Sequence, residues 1–230
     1  MLEDLKKRVY EQNIALVKHN LVVLTWGNVS ARDERTGLVV IKPSGVAYDV
    51  MKCEDMVVVD IDGNVVEGEY KPSSDLPTHL YLYRQYPMLY GIVHTHSAYA
   101  TAFAQSGREI PAYGTTHADA FYGSVPCTRE LTREEIDEAY EFNTGKVISE
   151  SVCDPEAIPA MLVKNHGVFT WGETPEKAVE TAVTVEEVAK MAILTEQLNA
   201  SALQIKQNLL DKHYYRKHGK NAYYGQKSRI

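Results

Sequence analysis

Two histidines one residue apart, His94 and His96, are the strongest candidates for chemistry in this sequence of 230 residues. They follow Gly91-Ile92-Val93, whose apolar character predicts the start of a buried strand. Because side chains alternate between the two faces of a strand, both imidazoles point the same way, about 7 Å apart along the backbone. That arrangement lets both bind one divalent cation, although two polar residues on a wet strand face have the same spacing.

Two further residues could complete a metal site. His166 lies in Asn165-His166-Gly167, at a break in a second apolar stretch, where a kinked backbone presents a side chain. Asp75 precedes a proline at a predicted helix start. Three imidazoles and a carboxylate form a ligand set that suits Zn²⁺ and leaves open positions if the metal expands its coordination. Sequence spacing alone does not bring the four residues together.

Three turns in the first third of the chain combine glycine, hydroxyl and amide groups with one lysine. Glycine lets the backbone approach a ligand, and serine hydroxyls and helix N-terminal amides bind phosphate. Each turn alone is more often an ordinary turn or cap, but the three together favour an anion site. The residues concerned are Gly27, Asn28, Lys42, Ser44, Gly45, Ser73 and Ser74.

Two places in the second half of the chain offer groups that could move protons. Asp119 follows Gly114-Thr115-Thr116-His117-Ala118, where it is either a general acid or base or a helix cap, and where His117 is an alternative imidazole or base. Tyr224 lies in a basic, aromatic tail. The tail is either a solvated segment or one that docks on a neighbouring subunit and closes a site.

Composition limits the classes of function. The net charge of −7 and the pI near 5.6 argue against a nucleic-acid binder. Three cysteines without a paired spacing indicate free thiols in a reducing compartment. The charged N-terminus lacks the apolar core of a signal peptide, and no apolar run reaches the length of a membrane span, so we expect a cytoplasmic protein without a membrane partner. Fifteen tyrosines favour an oligomer.

Hydrophobic periodicity predicts the elements that must position these residues. We expect one α/β domain, 1–230, with helices covering a mostly antiparallel or mixed sheet. Asp62-Gly63-Asn64 predicts a hairpin, and Thr132 and Thr174 are predicted helix caps. The predicted helices are 2–19, one from Pro77, 98–107, one from Thr132, 174–198 and 201–213, and the predicted strands are 25–30, 38–41, 56–60, 65–66, one from Gly91 and 161–169, the last interrupted at its Asn-His-Gly.

Five motifs and the C-terminal segment are similar to the class II aldolase/adducin family over essentially the whole chain, and within that family to its sugar-phosphate 4-epimerases. The motifs are Leu24-Thr25-Trp26-Gly27-Asn28-Val29-Ser30, Ile41-Lys42-Pro43-Ser44-Gly45, Lys71-Pro72-Ser73-Ser74-Asp75, Ile92-Val93-His94-Thr95-His96-Ser97 and Gly114-Thr115-Thr116-His117-Ala118-Asp119. The C-terminal match runs from Leu210 to His213-Tyr214, through Arg216-Lys217-His218-Gly219, to Ala222-Tyr223-Tyr224-Gly225-Gln226.

The resemblance implies a three-layer α/β/α fold around a mainly antiparallel sheet, assembled as a four-fold tetramer with sites at subunit interfaces. It implies one Zn²⁺ per subunit, held by Asp75, His94, His96 and His166. It places the substrate phosphate at the three turns and assigns Asp119 and Tyr224 as the acid/base pair, with Tyr224 reaching a neighbouring subunit's site. Thr115, His213 and Arg216 are similar to positions that line the site.

The implied activity is the interconversion of L-ribulose 5-phosphate and D-xylulose 5-phosphate in pentose (L-arabinose) catabolism. Aldolases of the family have a glutamate base where this chain has Asp75, and the shorter carboxylate favours a metal ligand and hence an epimerase. The alternatives are a sugar-phosphate aldolase, such as an L-fuculose-phosphate aldolase, and an adducin-like scaffold, against which the intact metal set argues. The chain departs from the closest pattern at 149–159, which is shortened, and at Lys227-Ser228-Arg229-Ile230, a short extension.

Overall fold

An antiparallel sheet runs through the centre of the protein in the computed structural model, which describes residues 2–220 and 222–225. The strands in these residues are β1 (Asn28–Arg32), β2 (Val39–Ile41), β3 (Val57–Val59), β4 (Val65–Glu67), β5 (Gly91–Thr95), β6 (Ala160–Val163) and β7 (Gly167–Gly172). They lie in the order β4-β3-β2-β1-β5-β7-β6, and each neighbouring pair is antiparallel. One isolated parallel bridge, between Cys127 and Leu162, extends the pairing at β6.

Helices cover both faces of this sheet. The helices in the same residues are α1 (Glu3–Lys18), α2 (Leu76–Gln85), α3 (Ala98–Ser106), α4 (Thr115–Ala118), α5 (Arg133–Ser151), α6 (Pro175–Leu198) and α7 (Gln207–Lys217). Successive side chains of β5 pack against different helix layers. Ile92 packs with Leu80 of α2 and Val147 of α5 on one face, whereas Val93 packs with Leu16 of α1 and Ala178 of α6 on the other. The fold is therefore the three-layer α/β/α arrangement that was expected.

No helix among residues 2–220 and 222–225 has both the length and the apolar character needed to cross a membrane.

Several local predictions are confirmed by hydrogen bonds and backbone angles. The Thr132 hydroxyl accepts from Glu135 N at 3.3 Å and begins α5, and the Thr174 hydroxyl accepts from Lys177 N at 3.1 Å and begins α6. The hairpin between β3 and β4 turns at Gly63, whose φ of +89° is a conformation that glycine adopts readily. Cap residues and the turn glycine therefore set these boundaries as the sequence predicted.

Three boundaries differ from the prediction. The interrupted strand at 161–169 is two antiparallel strands, β6 and β7, because Asn165 has a φ of +62° and reverses the chain. The strand predicted at 25–30 begins only at Asn28, after a turn in which Gly27 has a φ of +94°. The last helix is 207–217 rather than 201–213, since Leu210 and Tyr214 form its buried face, so the predicted tail begins inside it.

The extension Lys227 to Ile230, and Gln226 of the C-terminal motif, lie outside the described residues.

Candidate metal centre

The ends of two neighbouring strands bring the three predicted metal-binding histidines together. His94 lies near the end of β5, where it pairs with Phe169 of β7, and His96 follows the strand. His166 lies in the turn between β6 and β7. The ligand atoms of the three imidazoles lie within 4.8 Å of one another, and among the described residues they form the group that could hold a metal ion.

The rings are arranged so that nitrogen lone pairs converge. The Nε2 atoms of His94 and His96 are 3.0 Å apart, which confirms that both imidazoles point the same way. His94 donates from Nδ1 to the Val168 carbonyl oxygen at 3.1 Å, so its Nε2 carries the lone pair. The His94 ring also stacks on Phe169, with centroids 4.2 Å apart and planes inclined by 17°. The strand and its packing therefore fix the direction of this ligand.

Gly167 allows the close approach of β7 to the histidines. A Cβ atom at this position would lie 2.6 Å from the Thr95 carbonyl oxygen, 3.2 Å from a carbon of the His96 ring and 3.3 Å from a carbon of the His94 ring. The first of these distances is too short for any side chain. The glycine of the Asn-His-Gly motif is therefore required by packing against the backbone of β5 at Thr95, beside the histidine rings.

The three histidines are neutral at physiological pH, which is the form that binds a metal. Burial lowers the pKa of His94 and His96. Burial, together with the two neighbouring imidazoles, lowers the pKa of His166 to about 3. Zn–N bonds of about 2.0–2.1 Å place neighbouring ligand nitrogens roughly 3.3 Å apart in a tetrahedral site, and the 3.0 Å between the Nε2 atoms of His94 and His96 is close to that spacing. The residues therefore fit a divalent metal ion.

Asp75 faces the same cavity from the start of α2 but lies outside the three-histidine group. Its Oδ2 accepts from Asn28 Nδ2 at 2.7 Å and from Ser73 Oγ at 3.5 Å. Burial alone raises the pKa of the Asp75 carboxyl, but the neighbouring imidazoles and the Asn28 hydrogen bond outweigh burial and lower it. An anionic carboxylate therefore stands beside three neutral imidazoles. Its role as a fourth ligand stays a prediction.

The three predicted anion-binding turns meet at this cavity, whose volume is about 420 Å³. Backbone hydrogen bonds join two of the turns, from Ser44 N to Lys71 O at 2.9 Å and from Ser73 N to Lys42 O at 3.0 Å. All seven residues assigned to phosphate binding line the cavity, namely Gly27, Asn28, Lys42, Ser44, Gly45, Ser73 and Ser74. The structure therefore places the residues predicted to bind the anion and those predicted to bind the metal around one cavity.

Lys42 and Tyr48 link two of these turns through side-chain contacts. Lys42 is 2% exposed, and its Nζ donates to the carbonyl oxygens of Val46 at 2.8 Å and Pro43 at 3.2 Å. Burial lowers the pKa of Lys42 to about 8. The Tyr48 ring lies 4.9 Å from Nζ, and its hydroxyl donates to the Gly27 carbonyl oxygen at 2.8 Å. Tyr48 therefore fixes the position of the lysine relative to the glycine turn.

The predicted proton-transfer residues form a second cluster, which we call the Asp119 cluster. The Asp119 carboxylate accepts from His213 Nδ1 at 2.9 Å and from Arg216 at 3.0 and 2.6 Å, and Lys217 Nζ lies 3.2 Å from it. Burial raises the pKa of Asp119, but these donors outweigh it and lower the pKa. The Arg216 guanidinium lies 4.9 Å from the Tyr224 ring, which is 61% exposed. The cluster is His213, Arg216, Lys217 and Tyr224 around Asp119.

The members of the Asp119 cluster do not line the metal cavity of their own chain. Thr115 begins α4, and its carbonyl oxygen accepts from Asp119 N at 2.9 Å, so this backbone hydrogen bond fixes the main chain at Asp119. His117 is outside the metal group: its Nε2 donates to the Gly123 carbonyl oxygen at 2.7 Å, and burial lowers its pKa to about 4. His117 is therefore a buried histidine that anchors the turn carrying Asp119.

Sequence reasoning missed two groups of residues at the cavity. Tyr140 and Glu141 line it from α5, directly after a break in the helix at Ala139. Neither proline nor glycine marks that break, so the sequence carries no signal for it. His79 is buried behind the site, with Nδ1 at 2.7 Å from Ser30 Oγ. Its position four residues after Asp75, on the same face of α2, is a signal that could have found it.

The comparisons with known proteins agree with this geometry. The family described as "Class II Aldolase and Adducin N-terminal domain" matches residues 7–193. The chain belongs to the class II aldolase/adducin family. Among solved structures, one called L-fuculose 1-phosphate aldolase is similar to this member of the family, with 28% identity, a TM-score of 0.79, and coverage of 91% of this chain and 94% of that chain.

Two more distant structures share the class II aldolase fold. The L-fuculose 1-phosphate aldolase from Glaciozyma antarctica PI12 is 20% identical with a TM-score of 0.79, and covers 96% of this chain and 84% of its own. YgbL from Escherichia coli is 21% identical with a TM-score of 0.74, and covers 91% of this chain and 97% of its own. At these identities the likeness concerns the fold alone.

Proposed function

We propose that this class II aldolase/adducin protein is a zinc-dependent L-ribulose-5-phosphate 4-epimerase of pentose catabolism. The observation that carries the proposal is the shared cavity. Three neutral imidazoles and the Asp75 carboxylate line it, and so do Lys42 and the glycine and serine turns. A cavity with both groups suits a small molecule that has a metal-chelating end and a phosphate end.

The chemistry of a 4-epimerisation explains why both groups are needed. The carbon to be inverted is not adjacent to the carbonyl group, so no neighbouring group acidifies its C–H bond. Breaking the carbon–carbon bond, turning the aldehyde fragment and re-forming the bond on its other face achieves the inversion. The phosphate turns must therefore retain the aldehyde fragment while it rotates, which is the role we assign to Lys42, Ser44 and Ser73.

Zinc held by His94, His96, His166 and Asp75 would act as a Lewis acid that stabilises the negative charge developing during cleavage, an effect worth several kcal/mol. The remaining work belongs to the protein. Asn28 holds the Asp75 carboxylate through an Nδ2–Oδ2 hydrogen bond of 2.7 Å and so fixes its direction at the wall of the cavity.

The two proton-transfer roles fall to Asp119 and Tyr224. One takes the proton from the carbinol hydroxyl, and the other protonates the alkoxide formed after the aldehyde has turned, so the two groups act from opposite faces. Both residues lie in the Asp119 cluster, apart from the cavity of their own chain. We therefore propose that each site is completed by the Asp119 cluster of a neighbouring subunit in a four-fold tetramer.

A class II aldolase acting on a related sugar phosphate is the second candidate. The 28% identity to a structure called L-fuculose 1-phosphate aldolase favours it, and the chemistry is the same up to bond cleavage. The difference lies in whether the aldehyde is released or retained. An adducin-like scaffold is a weaker candidate, because an assembly module has no use for three converging neutral imidazoles beside a buried carboxylate.

An assay with two substrates separates the candidates. Zinc-loaded protein is given L-ribulose 5-phosphate, and D-xylulose 5-phosphate is followed by a coupled reaction while free glycolaldehyde phosphate and dihydroxyacetone are measured in parallel. An epimerase forms xylulose phosphate without accumulating the fragments. Cleavage of L-fuculose 1-phosphate, with no turnover of ribulose phosphate, would replace the proposal by the aldolase. Bound zinc with neither activity would point to a different substrate.

A further inference from the structure

We propose that Tyr140 is a positioning residue for the predicted metal ligand His166. The break in α5 at Ala139 directs the Tyr140 side chain towards that histidine. The inference rests on the metal set of the proposed function, but not on which sugar phosphate is the substrate. It concerns a tyrosine for which the sequence motifs give no role. Tyr140 belongs to α5 and lines the cavity wall together with His166.

The contact between the two residues is a side-chain hydrogen bond. The Tyr140 hydroxyl oxygen lies 3.3 Å from His166 Nδ1, at the long end of the hydrogen-bond range. The two rings are 5.9 Å apart at their centroids and inclined by 41°, so the tyrosine meets the imidazole with its polar tip rather than its face. This contact occupies one ring nitrogen of His166 and leaves the other, Nε2, for a metal.

The same arrangement is found at the other end of the histidine cluster. His94 donates from Nδ1 to the Val168 carbonyl oxygen, and its Nε2 is left with a lone pair. Metal-binding histidines commonly donate their second ring N–H to an outer partner, which fixes the ring and the position of its proton. A hydroxyl can accept such a proton as well as a carbonyl can. Tyr140 therefore does for His166 what the strand backbone does for His94.

His166 needs this support more than His94 does. His94 belongs to β5 and stacks on Phe169, so the sheet restrains it on several sides. His166 follows Asn165 in the turn between β6 and β7, and it belongs to neither strand, so sheet pairing does not restrain it. A turn residue whose ring must converge with two others within a few ångströms requires a partner from outside the sheet, and Tyr140 is placed to supply it.

The broken helix explains how Tyr140 reaches the turn. Ala139 has a φ of −160° and a ψ of 71°, so the regular ladder of α5 stops there and resumes afterwards. Across this break, the Asn143 Nδ2 donates to the Glu135 carbonyl oxygen at 2.9 Å. The Asn143 side chain thus joins the two halves of α5 and stabilises the break.

Further contacts tie the second half of α5 to α2, the helix that begins after Asp75. The Thr78 hydroxyl donates to the Glu141 carbonyl oxygen at 2.6 Å. A Cβ atom at Gly145 would lie 2.7 Å from the Cβ of Tyr81, so only glycine permits this approach of the two helices. The tyrosine that contacts the histidine turn is thereby fixed relative to the helix that presents Asp75.

The experiment measures zinc affinity in the full-length protein without substrate. Apoprotein is titrated with zinc in competition with a chelator, for wild type and for Tyr140→Phe, which keeps the ring and removes the hydroxyl. Loss of an outer partner of a metal-binding histidine typically weakens binding about 10- to 100-fold, so we expect at least a tenfold rise in the zinc dissociation constant. Cobalt absorption spectra of both proteins record the change in ligand geometry.

The matched control is Tyr86→Phe. Tyr86 also presents its hydroxyl to α5, at 3.5 Å from the Ser149 carbonyl oxygen, near the end of that helix away from the metal cavity. Its removal tests whether loosening the packing of α2 and α5 is enough to disturb the metal. We expect wild-type zinc affinity and an unchanged cobalt spectrum for this variant. A loss equal to that of Tyr140→Phe would overturn the positioning role.

A second variant tests the broken helix. Asn143→Ala removes the hydrogen bond that joins the two halves of α5, and we expect it to weaken zinc binding about threefold in the wild-type background. In the Tyr140→Phe background it should have no further effect, because the hydrogen bond it positions is already absent. Equal losses in both backgrounds would show that Asn143 acts independently of Tyr140 and would overturn this part of the inference.

The outcomes separate this inference from the proposed function. If wild type binds zinc tightly and Tyr140→Phe binds it within a factor of two, the positioning role fails and the metal set stands. If zinc affinity is unchanged but kcat falls at constant KM, Tyr140 acts on the substrate and the positioning role also fails. If wild type itself binds no zinc, the metal set and this inference fail together. A weaker zinc affinity confined to Tyr140 and Asn143 supports the proposal.

Discussion

The metal cavity and the Asp119 cluster are built in opposite ways. The cavity is formed by strand ends and by turns joined through backbone hydrogen bonds, and some of its polar groups are deeply buried: His94 is 1% exposed and Lys42 is 2% exposed. The Asp119 cluster is formed by the short helix α4, by α7 and by the last described residues, and its Tyr224 is 61% exposed. The cavity thus includes fully buried polar groups of the central sheet, whereas every member of the Asp119 cluster is half-buried or exposed.

The difference indicates how the work is divided between the two regions. Groups that bind a metal and a phosphate must hold their geometry before the ligand arrives, and a central sheet supplies that rigidity. Groups that transfer protons need to meet the substrate from a second direction, and the cavity walls of the same chain are already used for binding. In the tetramer that we propose, the Asp119 cluster of a neighbouring copy would supply this second direction.

Removing zinc should have the largest effect. Lewis-acid stabilisation of several kcal/mol corresponds to a loss of turnover of at least about 10³-fold in metal-free protein. Circular dichroism should show a largely unchanged fold, because the cavity is framed by the sheet. His96→Asn should lower the zinc retained after dialysis and lose activity with it. Full turnover in protein shown to be metal-free would remove the metal cavity from the chemistry.

Replacing the acid in the other region should separate turnover from metal binding. Asp119→Asn removes a proton-transfer group, and we expect turnover to fall by about 10²-fold or more while zinc content stays at the wild-type level. His96→Asn serves as the reciprocal variant, with an intact Asp119 cluster and an impaired metal set. Unchanged turnover in Asp119→Asn would exclude the acid/base assignment.

Mixing these two variants tests whether a site combines residues of two chains. When His96→Asn and Asp119→Asn subunits are denatured and reassembled together, some interfaces pair an intact metal cavity with an intact Asp119 cluster. Such hybrids should regain part of the wild-type activity, up to about a quarter for random pairing across one kind of interface. Mixtures that stay as inactive as either variant alone would place both regions in one chain's site.

The contrast between the regions also explains what the sequence could reveal. His94 and His96 were predicted to point the same way because strand alternation is a local property, and Thr132 and Thr174 were predicted as caps for the same reason. The meeting of His166 with this pair depends on β7 lying beside β5, a long-range pairing that spacing does not encode. The family resemblance supplied that link, and the structure confirms that the three rings converge.

Other features had no local signal. The break at Ala139 lacks proline and glycine, and it is stabilised by the Asn143 side chain from the following turn of the helix. The boundaries of α7 were misplaced because its buried face is only Leu210 and Tyr214, too few residues to define a period. The separation of Asp119 from the cavity likewise depends on tertiary packing, which residue types alone could not predict.

The stability of the Asp119 region should depend on pH through His117. Burial lowers the pKa of this imidazole to about 4 in the folded protein, below about 6.5 in an unfolded chain. Between these values the unfolded chain binds the extra proton, so the free energy of unfolding falls as the pH falls. From pH 7 to pH 5 this histidine should cost roughly 2 kcal/mol of stability.

Urea unfolding of metal-free protein at both pH values measures this effect. His117→Gln keeps a donor for the Gly123 carbonyl oxygen but does not titrate, so its loss of stability between pH 7 and pH 5 should be smaller than that of wild type by roughly 2 kcal/mol. His19→Gln, at an exposed histidine, is the control and should follow wild type. A His117→Gln curve parallel to wild type would mean that His117 is not held neutral by burial.

Tyr48→Phe should have the smallest effect and should be confined to the cavity. The hydroxyl donates to the Gly27 carbonyl oxygen while the ring remains 4.9 Å from Lys42 Nζ, so the variant releases the glycine turn and keeps the lysine in place. A single hydrogen bond of about 1 kcal/mol corresponds to roughly a fivefold rise in KM for the sugar phosphate.

Zinc affinity should not change, because no metal ligand touches this tyrosine. Turnover at saturation should also hold, since the Asp119 cluster is untouched. Steady-state kinetics with the epimerase substrate measure both constants, and a fall in kcat at constant KM would show that the anion turns and the proton-transfer groups are coupled, contrary to the division proposed above.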